Sequence, residues 1–283
     1  MKKIRWFSLA IAGLMMFGVM ASADARAANP TLILQITVDQ LRGDMPMRYL
    51  DRLGEGGLRY LLEKGTVYDN AHYQHANTET IVGHVSLATG TVPAAHGMVG
   101  NVWFDRETGR LAYNIEDPDY HLLTAGADVD RSTEIDPTQK AASVDGRSPT
   151  SILASTFSDE LAAHTNGKAK IFAVSIKDRG AVSLAGHAGK AFWFSKASGE
   201  FVTSSYYYDA YPEWVKDWNA SKPAQAYAGK SWELMQDSSR YLFGDSDDRE
   251  YETDFPGFGR IFPHAYGAGD DKYFTTRRTL SPA

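Results

Sequence analysis

Lys177 and Arg179 sit in the segment SIKDRGA, Ser175 to Ala181, directly after an apolar run. In an extended chain, residues two apart point the same way, so both cations can converge on one ligand. Two cations aimed together suit a dianion, and arginine can grip phosphate oxygens in bidentate fashion. A surface Lys-Asp-Arg turn accounts for the same residues, and taken singly it accounts for them better. Asp39, at the end of another apolar run, is open in the same way: a turn residue or a metal-ligating carboxylate. Thr78 and Thr80 precede a short apolar segment with helical character. A hydroxyl there lies in the positive field of a helix N-terminus, beside free N–H groups that suit an anion. Either threonine also serves as a plain N-cap. His72, His75, His84 and His96 cluster in sequence, but no pair has the spacing of a zinc helix motif such as H-E-x-x-H. Core or supporting histidines fit them better.

The elements that must hold these side chains follow from local pattern. Thr31 to Val38 is a continuous, branched apolar run ending at Asp39, which predicts a buried parallel strand with its polar residues at the carboxyl end. Tyr49 to Lys64 carries leucines at helical spacing, interrupted by Gly54, Gly56 and Gly57, with Gly65 as a natural C-cap. Ala76 to Gly90 reads as a Thr-rich turn running into a helix that stops at Gly90. The acidic, Gly-rich stretch from Asn101 to Arg147 reads as loops with short strands. Ser148-Pro149 predicts a helix start, with Ser as N-cap and Pro at the first position. Ala169 to Ile176 is a second buried-strand candidate and Ala191 to Phe194 a third. The aromatic-dense segment from Tyr206 to Trp232 predicts a strap that packs against the flank of the sheet. Gly244 to Glu252 is an acidic loop without the ligand spacing of an EF-hand, and a solvated turn fits it.

Composition bounds the classes. The 283 residues are 43% hydrophobic and 23% charged with no Cys, which excludes a disulfide scaffold, a Cys-ligated zinc finger, an Fe–S cluster and a thiol nucleophile. A net charge of -6 argues against nucleic-acid binding. Lys2, Lys3 and Arg5 followed by apolar Phe7 to Met20 and small residues up to Ala27 form the three-part pattern of a secretory signal peptide. The apolar run is short for a membrane span, which needs about 20 residues. The expectation is a signal peptide over 1–27, no membrane span after its removal, and export to a bacterial periplasm.

Taken together, the order of four motifs is more specific than any of them alone. ITVDQLRGD (Ile36–Asp44), TETIVGHVSLATG (Thr78–Gly90), HGMVGNVWFD (His96–Asp105) and SIKDRGA (Ser175–Ala181) resemble the alkaline phosphatase superfamily. The likeness is to the bacterial Thr-nucleophile alkaline phosphatases and their type I phosphodiesterase/nucleotide pyrophosphatase relatives. It runs from about Thr31 to the last residue. The T-x-x-G-H with K-x-R pairing carries it furthest, because the diesterase relatives generally lack the Lys/Arg pair.

The resemblance implies an α/β fold, a three-layer α/β/α sandwich around a mostly parallel sheet. It implies that Asp39 is a carboxylate ligand of one of two zinc ions, and that Thr80 is the nucleophile that becomes phosphorylated, its oxygen also facing zinc. Asn101 would hydrogen-bond a phosphoryl oxygen, and Lys177 and Arg179 would favour phosphate monoesters over diesters. A small phosphate ester is the implied substrate. The alternatives are a phosphodiesterase or nucleotide pyrophosphatase on the same fold, or a non-catalytic protein that binds phosphate or a partner. The family's D-x-x-G-H-type motif, which brings further metal ligands, is absent from the chain. Residues 28–283 are therefore expected to be the N-terminal portion of such a domain. By themselves they are expected to be inactive or nearly so and, with an unpaired sheet edge, prone to aggregate.

Overall fold

The computed structural model describes residues 30–282, so the signal-peptide reading of 1–27 lies outside the described residues. The described residues divide into two units, 30–37 and 38–282. Within the first, Thr31 to Thr37 run without helix or strand, and Leu32 is 79% exposed. The buried parallel strand expected over Thr31–Val38 is thus not formed. An apolar run becomes such a strand only with ladder partners and covering layers, and no strand of the described residues pairs with it.

The helices of the second unit are α1 (Met45–Arg48), α2 (Gly57–Lys64), α3 (Thr80–Thr89), α4 (Pro93–His96), α5 (Phe157–His164), α6 (Asp178–Ala185), α7 (Glu213–Ala220) and α8 (Phe274–Thr279). The strands are β1 (Val102–Asp105), β2 (Arg110–Tyr113), β3 (Phe172–Ser175), β4 (Lys190–Ser195), β5 (Glu200–Val202), β6 (Ser231–Trp232) and β7 (His264–Ala265). β3 and β4 are parallel, β4 and β5 antiparallel, and the sheet order is β3-β4-β5. β1–β2 and β6–β7 are separate antiparallel pairs. The chain is α/β, with α6 crossing over between the two parallel strands. Among the described residues no helix is long and apolar enough to cross a membrane.

α3 is the central helix. Ile81, Val82, Val85 and Ala88 are buried together with Gly83, His84 and Ser86, so it is enclosed on nearly every side. It ends at Gly90, whose φ of 67° is left-handed and whose N–H returns to the Ser86 carbonyl. Around it lie Met98, Ile115, Ala181, Val182, Ala191, Trp193 and Val202, which join it in one core. α6 packs on α3 and on β3 and β4.

Three boundaries differ from the sequence pattern. Over Tyr49–Lys64 only a 3-10 turn at Leu50–Arg52 and α2 form, because glycines at 54, 56 and 57 weaken the helix; Gly65 ends α2 in extended form. Ser148 does not start a helix. Its hydroxyl is committed to Asp117 and Thr150, whereas Thr156 makes a full reciprocal capping box with Asp159 and starts α5 eight residues later. The strand expected within Ala169–Ile176 is present as β3 but lies at a sheet edge, with Phe172 and Val174 exposed. The aromatic strap does pack on the sheet: Trp214 meets Phe192 edge-on at 5.1 Å and Phe172 at 6.2 Å.

Candidate active site

Thr80 is the first residue of α3, and Glu79 rather than a threonine occupies the N-cap. The Thr80 hydroxyl donates to Asp39 Oδ2 at 3.5 Å and receives Arg179 Nη2 at 3.4 Å. One backbone donor of the first turn, Ile81 N–H, goes to Asn101 Oδ1 at 3.1 Å, so Asn101 caps the helix that carries Thr80. Asn101 is itself fixed twice. Its N–H donates to Glu79 Oε2 at 2.6 Å, and its carbonyl accepts Asn114 Nδ2 at 2.6 Å. Glu79 and Asn114 were not legible as site residues, since each acts only through Asn101.

The cationic pair converges, though by another route than an extended chain. Lys177 is extended and serves as the N-cap of α6, while Arg179 already lies in the helix. Both reach the same carboxylate oxygen: Lys177 Nζ donates to Asp136 Oδ2 at 2.8 Å and Arg179 Nη2 at 3.1 Å. Arg179 Nη1 also donates to Thr138 Oγ1 at 2.9 Å. Burial pushes the Asp136 carboxyl up, but the bonds from Lys177 and Thr138 and the charge of Arg179 outweigh it and hold it far below the carboxylate range. Asp136 lies in the stretch read from sequence as polar loop, and nothing local singles it out.

Asp178, between the two cations, faces away into the core. It is 3% exposed and accepts from Tyr113 OH (2.7 Å), Gln139 Nε2 (3.1 Å), the Arg179 N–H (2.8 Å) and Arg147 Nε (2.7 Å). Arg147, 2% exposed, donates as well to Asp128 Oδ1 at 3.0 Å and to the Val144 and Gly146 carbonyls. Burial opposes charge on Asp178, yet the Arg147 guanidinium keeps its carboxyl below the ordinary value; burial and the Asp178 charge drive the Tyr113 hydroxyl well up.

The histidines near α3 bond neighbouring backbone and hydroxyl groups. His84 donates Nδ1–H to the Thr80 carbonyl at 2.7 Å. His96 is fully buried, accepts the Met98 N–H at Nδ1, and bonds Ser86 Oγ through Nε2. Burial and the nearby His75 lower the His96 pKa. His75 bonds the same Ser86 hydroxyl at 2.9 Å.

Thus Asp39, Thr80, Asn101, Lys177 and Arg179, scattered over the chain, meet at the N-termini of α3 and α6. The chain belongs to the type I phosphodiesterase / nucleotide pyrophosphatase family, whose model matches residues 33–255, and so to the alkaline phosphatase superfamily. Among its relatives are the alkaline phosphatases PhoV of Synechococcus elongatus and PafA of Elizabethkingia meningoseptica. PhoV is 34% identical over 89% of this chain and 44% of its own length; PafA is 34% identical over 79% and 39%. The crystal structure of PafA superposes with a TM-score of 0.69 at 31% identity, over 86% of this chain and 43% of that one. The chain therefore spans less than half the length of these relatives.

Zinc is the metal that the resemblance implies. The facing oxygens of Asp39 and Thr80 fit as two hard ligands on one side of an ion. Among the described residues no group of three or more His, Asp or Glu is placed to hold a metal, so the remaining ligands of a four-coordinate ion are not assembled here.

Proposed function

We infer that the whole protein hydrolyses phosphate monoesters by a double displacement in which Thr80 carries the phosphoryl group. The observation that carries this is the convergence of Lys177 and Arg179 on one anion, with Arg179 Nη2 also touching the Thr80 hydroxyl. Two cations beside a hydroxyl, even with Asp136 as a shared counter-ion, favour the more highly charged monoester dianion over a diester monoanion. A structure of PafA in which a threonine, an asparagine, a lysine and an arginine are replaced has those residues at the same spacings as Thr80–Asn101 and Lys177–Arg179, which supports treating the four as a set.

Asp39 and Thr80 would be this chain's contribution to a site for zinc, which when bound lowers the pKa of a coordinated hydroxyl and so yields a nucleophile near neutral pH. The residues present do the rest of the positioning. α3 presents Thr80 at its first turn, Asn101 is held by Glu79 and Asn114 within reach of that turn, and the buried Asp178 anchors the backbone of Arg179. Export to the periplasm through the 1–27 leader is part of the same reading.

The test compares a monoester with an aryl diester as substrates of the full-length protein, with and without Lys177→Ala and Arg179→Ala. Each substitution is expected to lower monoester kcat/KM by about a hundredfold, against little change for the diester. A monoester preference that survives both substitutions overturns the assignment; a diester preference in the unaltered protein favours a phosphodiesterase. The 283-residue chain alone, in which Asp39 and Thr80 are the candidate ligands that meet among the described residues, is expected to be inactive or nearly so. Turnover of p-nitrophenyl phosphate by that chain with added zinc would refute this.

A further inference from the structure

Lys177 and Arg179 are not empty-handed. Asp136 Oδ2 takes both of them, and the Arg179 nitrogen that bonds Oδ2 is the one that touches Thr80 Oγ1. The two N–H groups of that nitrogen are therefore both committed. Any anion held by the pair next to Thr80 has to share donors with Asp136.

Asp136 is not free to swing away. Its Oδ1 accepts the Thr138 N–H at 2.9 Å and the Thr138 hydroxyl at 2.6 Å, while Thr138 Oγ1 in turn receives Arg179 Nη1. The carboxylate side chain is only 11% exposed, so its charge is poorly screened by water. Its side chain accepts four bonds, from Thr138 twice and from Lys177 and Arg179, and these fix its orientation.

We propose, building on the phosphomonoesterase reading, that Asp136 is a built-in competitor for the phosphoryl group: it occupies the Lys177–Arg179 pair when no substrate is bound and limits how tightly that pair holds inorganic phosphate. Two cations facing a phosphate dianion without a counter-anion would grip product as firmly as substrate, and slow product release would then limit turnover. A fixed carboxylate beside them reduces the local charge from two positive to one. It gives the cations a partner to return to when phosphate leaves.

Calorimetric titration of the full-length protein with inorganic phosphate at pH 8 tests this, using Asp136→Asn, Asp136→Ala and Asp136→Glu. Asn and Ala are two independent routes to the same loss of charge, so a misfolded variant of one leaves the other. Both are expected to tighten phosphate binding by about tenfold or more at low salt, and the gain is expected to shrink as salt rises. Glu, which keeps the charge, is expected to stay within about threefold of the unaltered chain. Affinity that follows the charge at 136 rather than the shape of the side chain is not what a purely structural role would yield. If Asn and Ala bind phosphate no better than the unaltered chain, or worse, Asp136 only orients the cations and the proposal fails. Lys177→Ala and Arg179→Ala in the same titration separate the two readings. If they abolish binding while the 136 series shows no gain, only the competitor role is lost. If phosphate binding ignores both cations, the phosphomonoester reading falls and the competitor role with it.

Discussion

Asp178→Asn probes the buried charge that sets the start of α6. The carboxylate is 3% exposed and its principal partner Arg147 is 2% exposed, so neither has water to fall back on. Removing the negative charge strands a buried guanidinium, and breaking a buried pair from one side costs about 3–5 kcal/mol. Arg147 keeps Asp128 at 3.0 Å and two carbonyls, which places the loss near the lower end, about 3 kcal/mol. With a urea m-value of about 3 kcal/mol/M, the unfolding midpoint falls by about 1 M. The native carboxyl titrates below its unfolded value of about 3.9, so its stabilisation is present above about pH 4 and drains away as pH falls through the native pKa. The acid limb of the stability profile is accordingly shallower in Asp178→Asn than in the unaltered chain. Adding Arg147→Met removes the stranded cation and is expected to recover part of the loss. An unchanged urea midpoint in Asp178→Asn, or strict additivity of the two substitutions, would refute the reasoning.

Two further outcomes follow from local geometry. Thr156→Ala removes one half of the capping box with Asp159 and is expected to cost about 1 kcal/mol, read as a lower urea midpoint, with Thr156→Ser close to the unaltered chain. At Gly180 an added Cβ would lie 2.6 Å from Ser175 Oγ and 3.2 Å from Ser175 Cβ, so α6 must back away from β3. Gly180→Ala is expected to cost about 1–3 kcal/mol and to weaken phosphate binding, since Arg179 moves with the helix; a melting curve and the same titration check both.

Where interactions are local, residue order was enough. α3 with its stop at Gly90, the strand leading to Lys177, and the aromatic strap were legible because helix capping, periodicity and ring density act over a few residues. For the K-x-R pair the pattern left a surface turn as the better account; the two side chains do converge, on the Asp136 carboxylate, through an N-cap and a first helical turn rather than along a strand. What the tertiary structure alone decided is which groups face the pair. Asp136 lies 41 residues from Lys177, Arg147 31 from Asp178, and Glu79 22 from Asn101, so no spacing rule links them. The same holds for Thr31–Val38: its apolar residues announce burial, but burial in a parallel sheet needs ladder partners and covering layers that local pattern cannot supply, and Thr31–Thr37 form no strand. The residue types determined what chemistry was available, and the packing of α3 against α6 decided where those residues meet, because a charge takes its partner from whatever the core brings within reach.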